Sequence, residues 1–561
     1  MAACSNATKY ARTYIDFNVN NNYPVINDRS PRFVLQQQYW NSKVLSYEVQ
    51  GRCQKRDTTD NVKEQDFEYF KQLFKVSKKW VTGGLSNVMH RVNVERQDFI
   101  KKFEYDSINK NVRVVTSNYQ ITPILGIDFI SLYPSVISSE YHKFIKYTSG
   151  KMYMPGSVSD KVICDSVEKK QKILDIINSQ NRYNDKGQLF IEEVKGHIDD
   201  THINDYIIFP PIQRNYEFQT NEETVDEYMN QHMKSNGLKV DQKQRKLTNL
   251  LSTMGGYMTF SSYYLWFLID DCHFMIDDVK QIILFNKHDK FSSFAKEFTN
   301  QRIYAKINGN KGLEQFCKII MKSSYGSDGM NIEKYTKIKM MNEKQALQAH
   351  LSNTFMVDQK LSDNVYAVQM NPEKCSCRTP LQVAYFVLDL AKYWYLNFIY
   401  NFMYKCFDMN KLHFIEGDTD SAYWAVSGNK NESYKQQFKY FIKDQQFYNE
   451  NAKYFFPTIE GDMLDEKKTL GLAIEREGIE MIALAPKNYY IMVDVKTKIK
   501  LKGINQSTNK ITKGQIVENI IEGTVTKCQL AAIRALTLDI SISVGSPTPA
   551  QLSSYAWIAM G

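Results

Sequence analysis

Two apolar runs in this chain end on carboxylates. The first, Ile124-Leu-Gly-Ile-Asp128-Phe-Ile-Ser-Leu-Tyr133-Pro-Ser135, reads as a buried strand that stops at a Pro-punctuated turn, with Asp128 at the strand's end. The second, His413-Phe-Ile-Glu416-Gly, enters Asp418-Thr-Asp420-Ser421 and leaves through the apolar stretch Ala422–Val426. That pattern predicts a β-hairpin with two carboxylates at its tip. Between these runs the rhythm turns helical: Phe291–Tyr304 predicts one helix, Asn308-Gly309-Asn310 a turn, and Gly312–Gly326 a second helix. A longer helix is predicted from Thr379-Pro380 through Tyr404, since proline suits a first helical position. Leu470–Glu477 and Met481–Val493 predict a hairpin turning at Gly478, with Lys487 and Tyr489 on one strand face. In Lys496-Thr-Lys498-Ile-Lys500-Leu-Lys502 the lysines alternate onto a single face, as a strand laid along phosphates requires; an exposed edge strand also favours lysine.

Ionised carboxylates held as close as Asp418 and Asp420 repel, and burial raises the cost. An Asp-x-Asp turn by itself is more often a solvated acidic loop. Asp128, a third carboxylate at the end of a buried strand, changes the weighting. Three such groups at one place suit a pair of Mg²⁺ or Mn²⁺ ions about 3.5–4 Å apart. One ion activates an attacking hydroxyl while the other neutralises phosphates.

The same residues resemble the motifs of family B DNA polymerases. Asp128-Phe-Ile-Ser-Leu-Tyr-Pro-Ser135 is similar to motif A, Lys318-Ile-Ile-Met-Lys322-Ser-Ser-Tyr325-Gly326 to motif B, Asp418-Thr-Asp-Ser421 to motif C, and Lys487-Asn-Tyr489 to the K-x-Y motif, in family order. The spacing is most like the protein-primed branch, and the wording around motif C and K-x-Y is most like polymerases of Maverick/Polinton elements. The resemblance implies an α+β right hand: a palm with an antiparallel sheet, helical fingers, a partial thumb, and insertions. It implies catalytic, metal-binding Asp128, Asp418 and Asp420. It assigns Lys318, Lys306, Arg302, Tyr133, Leu132 and Tyr325 to the nucleotide, with Tyr133 as the steric gate against a ribose 2′-hydroxyl. Lys487, Tyr489, Thr419 and Lys502 are assigned to primer and DNA. A triphosphate carries about four negative charges, so cations on facing helices have an electrostatic task there. For Arg302 a solvated helix face is an equally good reading. Lys322 stands where the family has Asn, and Glu416 where Tyr is commoner.

Implied domains are 121–150 (palm, motif A), 151–290 (an insertion contacting a terminal protein and template, or extra palm scaffolding), 291–330 (fingers), 331–372 (a second insertion or a connecting hairpin), 373–495 (palm, motif C and K-x-Y) and 496–561 (a partial or altered thumb). Residues 1–120 carry no assignable chemistry and leave too little chain ahead of Asp128 for a complete exonuclease; Asp16-Phe17-Asn18 is not Asp-x-Glu.

Composition narrows the picture little. The chain has 561 residues, 43% of them hydrophobic, and a formal net charge of +9, which fits phosphate binding spread over a groove. Nine cysteines form no zinc or disulfide framework, and Cys375-Ser-Cys377 is too tight for a zinc knuckle, so an intracellular, reduced setting is expected. No signal peptide follows Met1, and the apolar runs at Tyr263–Ile269 and Tyr393–Phe407 are too short for a membrane. Expected partners are template-primer DNA, dNTPs and a terminal protein primer, in the nucleus or at a viral replication site. Two alternatives remain: a catalytically weak DNA-binding remnant of a mobile element, and an RNA-templated polymerase, although the latter usually carries Asp-Asp at the tip.

Overall fold

The computed structural model describes 84–543, apart from 110, 220–229, 232–233, 236–240, 242, 289–290, 329–336, 353–354, 371–380, 433–435, 437, 469, 494–495, 503, 522–524 and 531–537. The described chain forms two compact units, one built from 154–157 and 288–386, the other from 84–153, 158–287 and 387–543. Antiparallel sheets and helices are mixed throughout.

The larger unit is built around a five-stranded sheet. Its strands are β1 (Ser86–Val88), β3 (Ile124–Phe129), β4 (Leu412–Asp418), β5 (Ser421–Val426) and β6 (Leu472–Gly478), in the order β1-β4-β5-β3-β6. A second sheet contains β2 (Val92–Val94), β7 (Glu480–Ala485), β8 (Asn488–Val493) and β9 (Lys496–Lys500), in the order β2-β7-β8-β9. The two sheets share one core: Ile124, Ile415, Tyr423 and Ala425 of the first meet Met481, Ala483, Tyr489 and Ile491 of the second. Burial on both sides explains why β3, β4 and β5 read as continuous apolar runs rather than alternating ones.

The opposite face of the first sheet is covered by aromatic side chains. Phe129 packs on Tyr395 and Phe398, and Phe414 on Trp424 and Phe209. Tyr395 belongs to the helix α2 (Leu381–Asn397), which continues as a π-helical turn over Phe398–Met403. Its hydroxyl donates to the Ser421 carbonyl at 3.3 Å, so the long helix braces the tip strand as expected. The predicted helix start at Thr379-Pro380 lies outside the described residues.

Elsewhere in this unit, Leu189–Ile198 pairs antiparallel with Met258–Ser261 and with Phe274–His288. The apolar run Tyr263–Ile269 lies in a largely buried helix, Ser262–Cys272, whose Tyr263, Tyr264 and Trp266 are core. Cys375, Cys377, Asp16 and most of the C-terminal tail lie outside the described residues. Of that tail, Val525–Leu530 pairs with Leu538–Ser543.

In the smaller unit, helices Phe291–Ile307 and Lys311–Asp328 form the expected hairpin, with Gly309 in the left-handed region at φ +67. The 331–372 stretch supplies a three-stranded antiparallel sheet, Lys337–Met341, Phe355–Ser362 and Val365–Met370, with a capped helix, Glu343–His350, packed on it. No described helix is long and apolar enough to cross a membrane.

Candidate active site

The hairpin β4–β5 turns through only two residues, Thr419 and Asp420, because Asp418 stands opposite Ser421 in the register. Thr419 takes φ +64, as a primed two-residue turn demands of its first position. On the far side of β5, Ser421 stands opposite Asp128 of β3. Asp418, Ser421 and Asp128 are therefore adjacent rungs of one ladder and share one face. The Asp420 carbonyl accepts the Phe129 amide at 2.6 Å, which ties the turn to the residue after Asp128. Three acidic residues from segments far apart in sequence thus meet at one end of one sheet.

Neighbours hold this end in place. Gly84 packs so tightly on Thr419 that a Cβ there would sit 2.6 Å from its Cγ2. The Thr419 amide donates to the Leu85 carbonyl at 2.8 Å, and Ser86 Oγ donates to Asp418 Oδ1 at 3.2 Å. The sequence offered no chemistry for the segment before 120, yet β1 from that segment lies directly against the Asp418 strand. Its three residues carry no periodicity that could have betrayed it.

Lys487 Nζ lies 2.9 Å from Asp418 Oδ2, an ion pair with the carboxylate only 13% exposed. Carboxylates on neighbouring rungs require a counter-charge, and this lysine supplies one. Among the described residues no three His, Cys, Asp or Glu side chains converge closely enough to hold a metal ion as they stand. The donor set is nonetheless of the hard-oxygen kind that Mg²⁺ or Mn²⁺ takes.

Tyr133 belongs to a short helix, α1 (Leu132–Ile137), beginning after Ser131, which has φ +50. The expected turn at Pro134 is thus the first turn of a helix, a place proline tolerates because its missing amide has no partner there anyway. Leu132 is buried, and the Tyr133 ring is mostly so. Burial pushes the Tyr133 hydroxyl up to about 12; it bonds to the Thr419 side chain and feels the Asp420 charge. The residue assigned as sugar gate therefore sits against the carboxylate turn.

The K-x-Y segment departs from its expectation. Gly478 ends β6, which pairs with β3 in the first sheet, whereas β7 starts in the second. The hairpin is instead β7–β8, turning through Pro486-Lys487 with Lys487 at φ +67. Lys487 is consequently a turn residue rather than a strand neighbour of Tyr489. Tyr489 is 2% exposed, and its hydroxyl pairs with that of Tyr423 at 3.0 Å. It joins the two sheets and presents no free face to a primer. Tyr423 in turn lies over Gly126: a Cβ at that glycine would come within 2.5 Å of its ring. Neither Tyr423 nor Gly126 was singled out by sequence, because their contact depends on register alone.

Glu416, two rungs below Asp418, is 2% exposed, and its Oε2 has no hydrogen-bond partner. Burial holds its carboxyl well above the ordinary range, with Lys500 pulling the other way. Lys502 is exposed, and its amide donates to Asn488 Oδ1 at 2.7 Å.

The remaining assigned residues belong to the helical hairpin of the smaller unit. Lys318 and Tyr325 are half-buried on Lys311–Asp328, with exposed Lys322 between them at i+4 from Lys318. Lys306 is exposed in the last turn of the preceding helix. Arg302 Nε faces Glu314 Oε1 at 3.9 Å across the two helices, a structural pairing that its nucleotide assignment did not anticipate.

No family model and no curated protein matches the chain. Among solved structures it is similar to Phi29 DNA polymerase in an orthorhombic crystal form, at 13% identity and TM-score 0.45, covering 90% of this chain and 67% of that one. It is also similar to Phi29 DNA polymerase complexed with primer-template DNA and incoming nucleotide, at 13% identity and TM-score 0.42, covering 93% and 74%. A complex of the same polymerase with single-stranded DNA gives 13% and 0.44, over 90% and 67%.

Proposed function

We propose that the chain is a DNA-directed DNA polymerase that adds deoxynucleotides to a primer 3′ hydroxyl. The observation that carries this reading is the ladder Asp418–Ser421–Asp128 with Asp420 in the adjoining turn. Asp128, Asp418 and Asp420 would hold two Mg²⁺ ions, or Mn²⁺, which when bound supply Lewis-acid stabilisation of phosphate charge and a lowered pKa for the attacking hydroxyl. Lys487, 2.9 Å from Asp418, offsets charge at the acidic end and would give up Asp418 to bound ions. Tyr133, braced by Thr419, sets the shape of the sugar site and excludes a 2′-hydroxyl. By their resemblance to motif B and its facing helix, Lys318, Lys306 and Tyr325 are assigned to the nucleotide in this reading. Motif order and spacing support a protein-primed enzyme of a Maverick/Polinton-like element, in which a terminal protein hydroxyl begins synthesis. Replication in the nucleus or at a viral replication site goes with that reading.

A second reading, a DNA-binding remnant without catalysis, draws on the Lys487 ion pair that occupies Asp418. Primer extension with Mg²⁺ on DNA and RNA templates separates the two. The polymerase reading expects extension on DNA, and a loss on the order of 10³-fold in Asp418→Asn, the rate equivalent of several kcal/mol, with DNA binding retained. An unmodified chain that binds DNA and never extends it establishes the remnant.

A further inference from the structure

β9 is the outer strand of the second sheet, and of its lysines only Lys500 bears on the acidic end, through its charge near Glu416. Lys496, Lys498 and Lys500 are exposed and stand opposite Val493, Ile491 and Tyr489 in the register, so all three share the face of Tyr489. Ile499, between them, turns the other way into a separate cluster with Ile482, Leu484, Tyr490 and Ile516. The Tyr489 face is the one applied to the first sheet, through the Tyr423 hydroxyl at 3.0 Å. At the start of β8, Lys487 already touches Asp418 at 2.9 Å. Lys500 Nζ leans over the Tyr489 ring, 5.5 Å from its centroid. From the acidic end outward, positive charge therefore continues through Lys500, Lys498 and Lys496. Alternate strand residues lie about 6.7 Å apart, a step close to that between consecutive phosphates of an extended nucleic-acid strand.

We propose that Lys500, Lys498 and Lys496 form a track for the phosphate backbone of one nucleic-acid strand, held three phosphates deep and running outward from the acidic end of the neighbouring sheet. The proposal rests on the polymerase reading for what the strand does there, and on the charge row alone for its being bound. Lysines placed only to block edge-to-edge pairing have no need to stand in a row on the face applied to the first sheet.

The test is binding of a fluorescent primer-template by the full chain from about 50 to 200 mM salt. In the triple variant K496Q/K498Q/K500Q the slope of log affinity against log salt becomes shallower by about 2–3, at about 0.7 per phosphate for a single strand and 0.9 for a duplex. A control that removes the same charge elsewhere, K169Q/K344Q/K360Q, keeps the slope of the unmodified chain. An unchanged slope in the first variant, or an equal change in both, overturns the track. If the triple variant fails to fold, each single Lys→Gln change must lower the slope by about 0.7–0.9, and three unchanged slopes overturn the proposal as well. A chain that never extends a primer yet shows the lysine-dependent slope loses the polymerase assignment and keeps the track.

Discussion

The two sheets of the larger unit use charge in opposite ways. In the first, acidic residues sit at the ends of interior strands, β3 and β4, with ladder partners on both sides and a helix behind. In the second, cations occupy a two-residue turn and an outer strand, where one side of the ladder is open. Interior strands fix a side chain to within the precision of the register, which chemistry at a phosphate requires. An outer strand offers a row of equivalent charges, which suits a sequence-blind grip on a backbone. The contrast teaches that position within the ladder, as much as residue type, separates groups suited to reaction from groups suited to holding.

The sharpest way to break the contrast is at the point where the sheets touch. Gly126→Val drives a side chain into the Tyr423 ring, which is held in turn by Tyr489. The expected cost is up to about 3 kcal/mol of stability, read by chemical denaturation, with a matching loss of extension because Asp128 lies two residues away. A silent substitution means that the acidic sheet is not fixed from this side.

A smaller effect comes from the other end of the same contact. The His90 and His413 rings lie 4.3 Å apart, tilted by 51° to each other, and His413 Nε2 meets Asn93 Oδ1 of β2 at 2.7 Å. Burial, with Lys101 adding, lowers His90 to about 4, and His413 is lowered too. A base depressed on folding takes its proton in the unfolded chain first. Its stabilising share is therefore complete above pH 6.5 and disappears as pH falls toward 4. Denaturation at pH 7 and pH 5 is expected to show about 2 kcal/mol lost through His90 alone, since it is only 8% exposed. His90→Phe removes that share of the pH dependence. An unaltered dependence shows that the histidines take up protons without opening the sheets.

Much of the acidic sheet was legible in the sequence. Long buried strands produce apolar runs, and a charged residue ending such a run stands out, as Asp128 and Asp418 do. The helical hairpin was legible for a related reason: Asn308-Gly309-Asn310 punctuates two helical stretches. Other features were settled only by tertiary contacts. Pro134 reads equally well as a turn or as a first helical turn. Met481–Val493 reads as one strand of a hairpin, yet a turn at Pro486-Lys487 breaks it and sends Tyr489 inward. Ser86, against Asp418, belongs to a strand too short to leave a pattern, and Gly84, against Thr419, precedes that strand.

The central claim is that Asp128 and Asp418, neighbours across Ser421, act as one unit. It is tested most directly by primer-extension rates for Asp128→Asn, Asp418→Asn and the double variant, with DNA affinity measured alongside. Residues of one catalytic unit are expected to give a double variant no slower than the worse single variant. Losses that multiply, or either single variant extending at the rate of the unmodified chain, contradict the account.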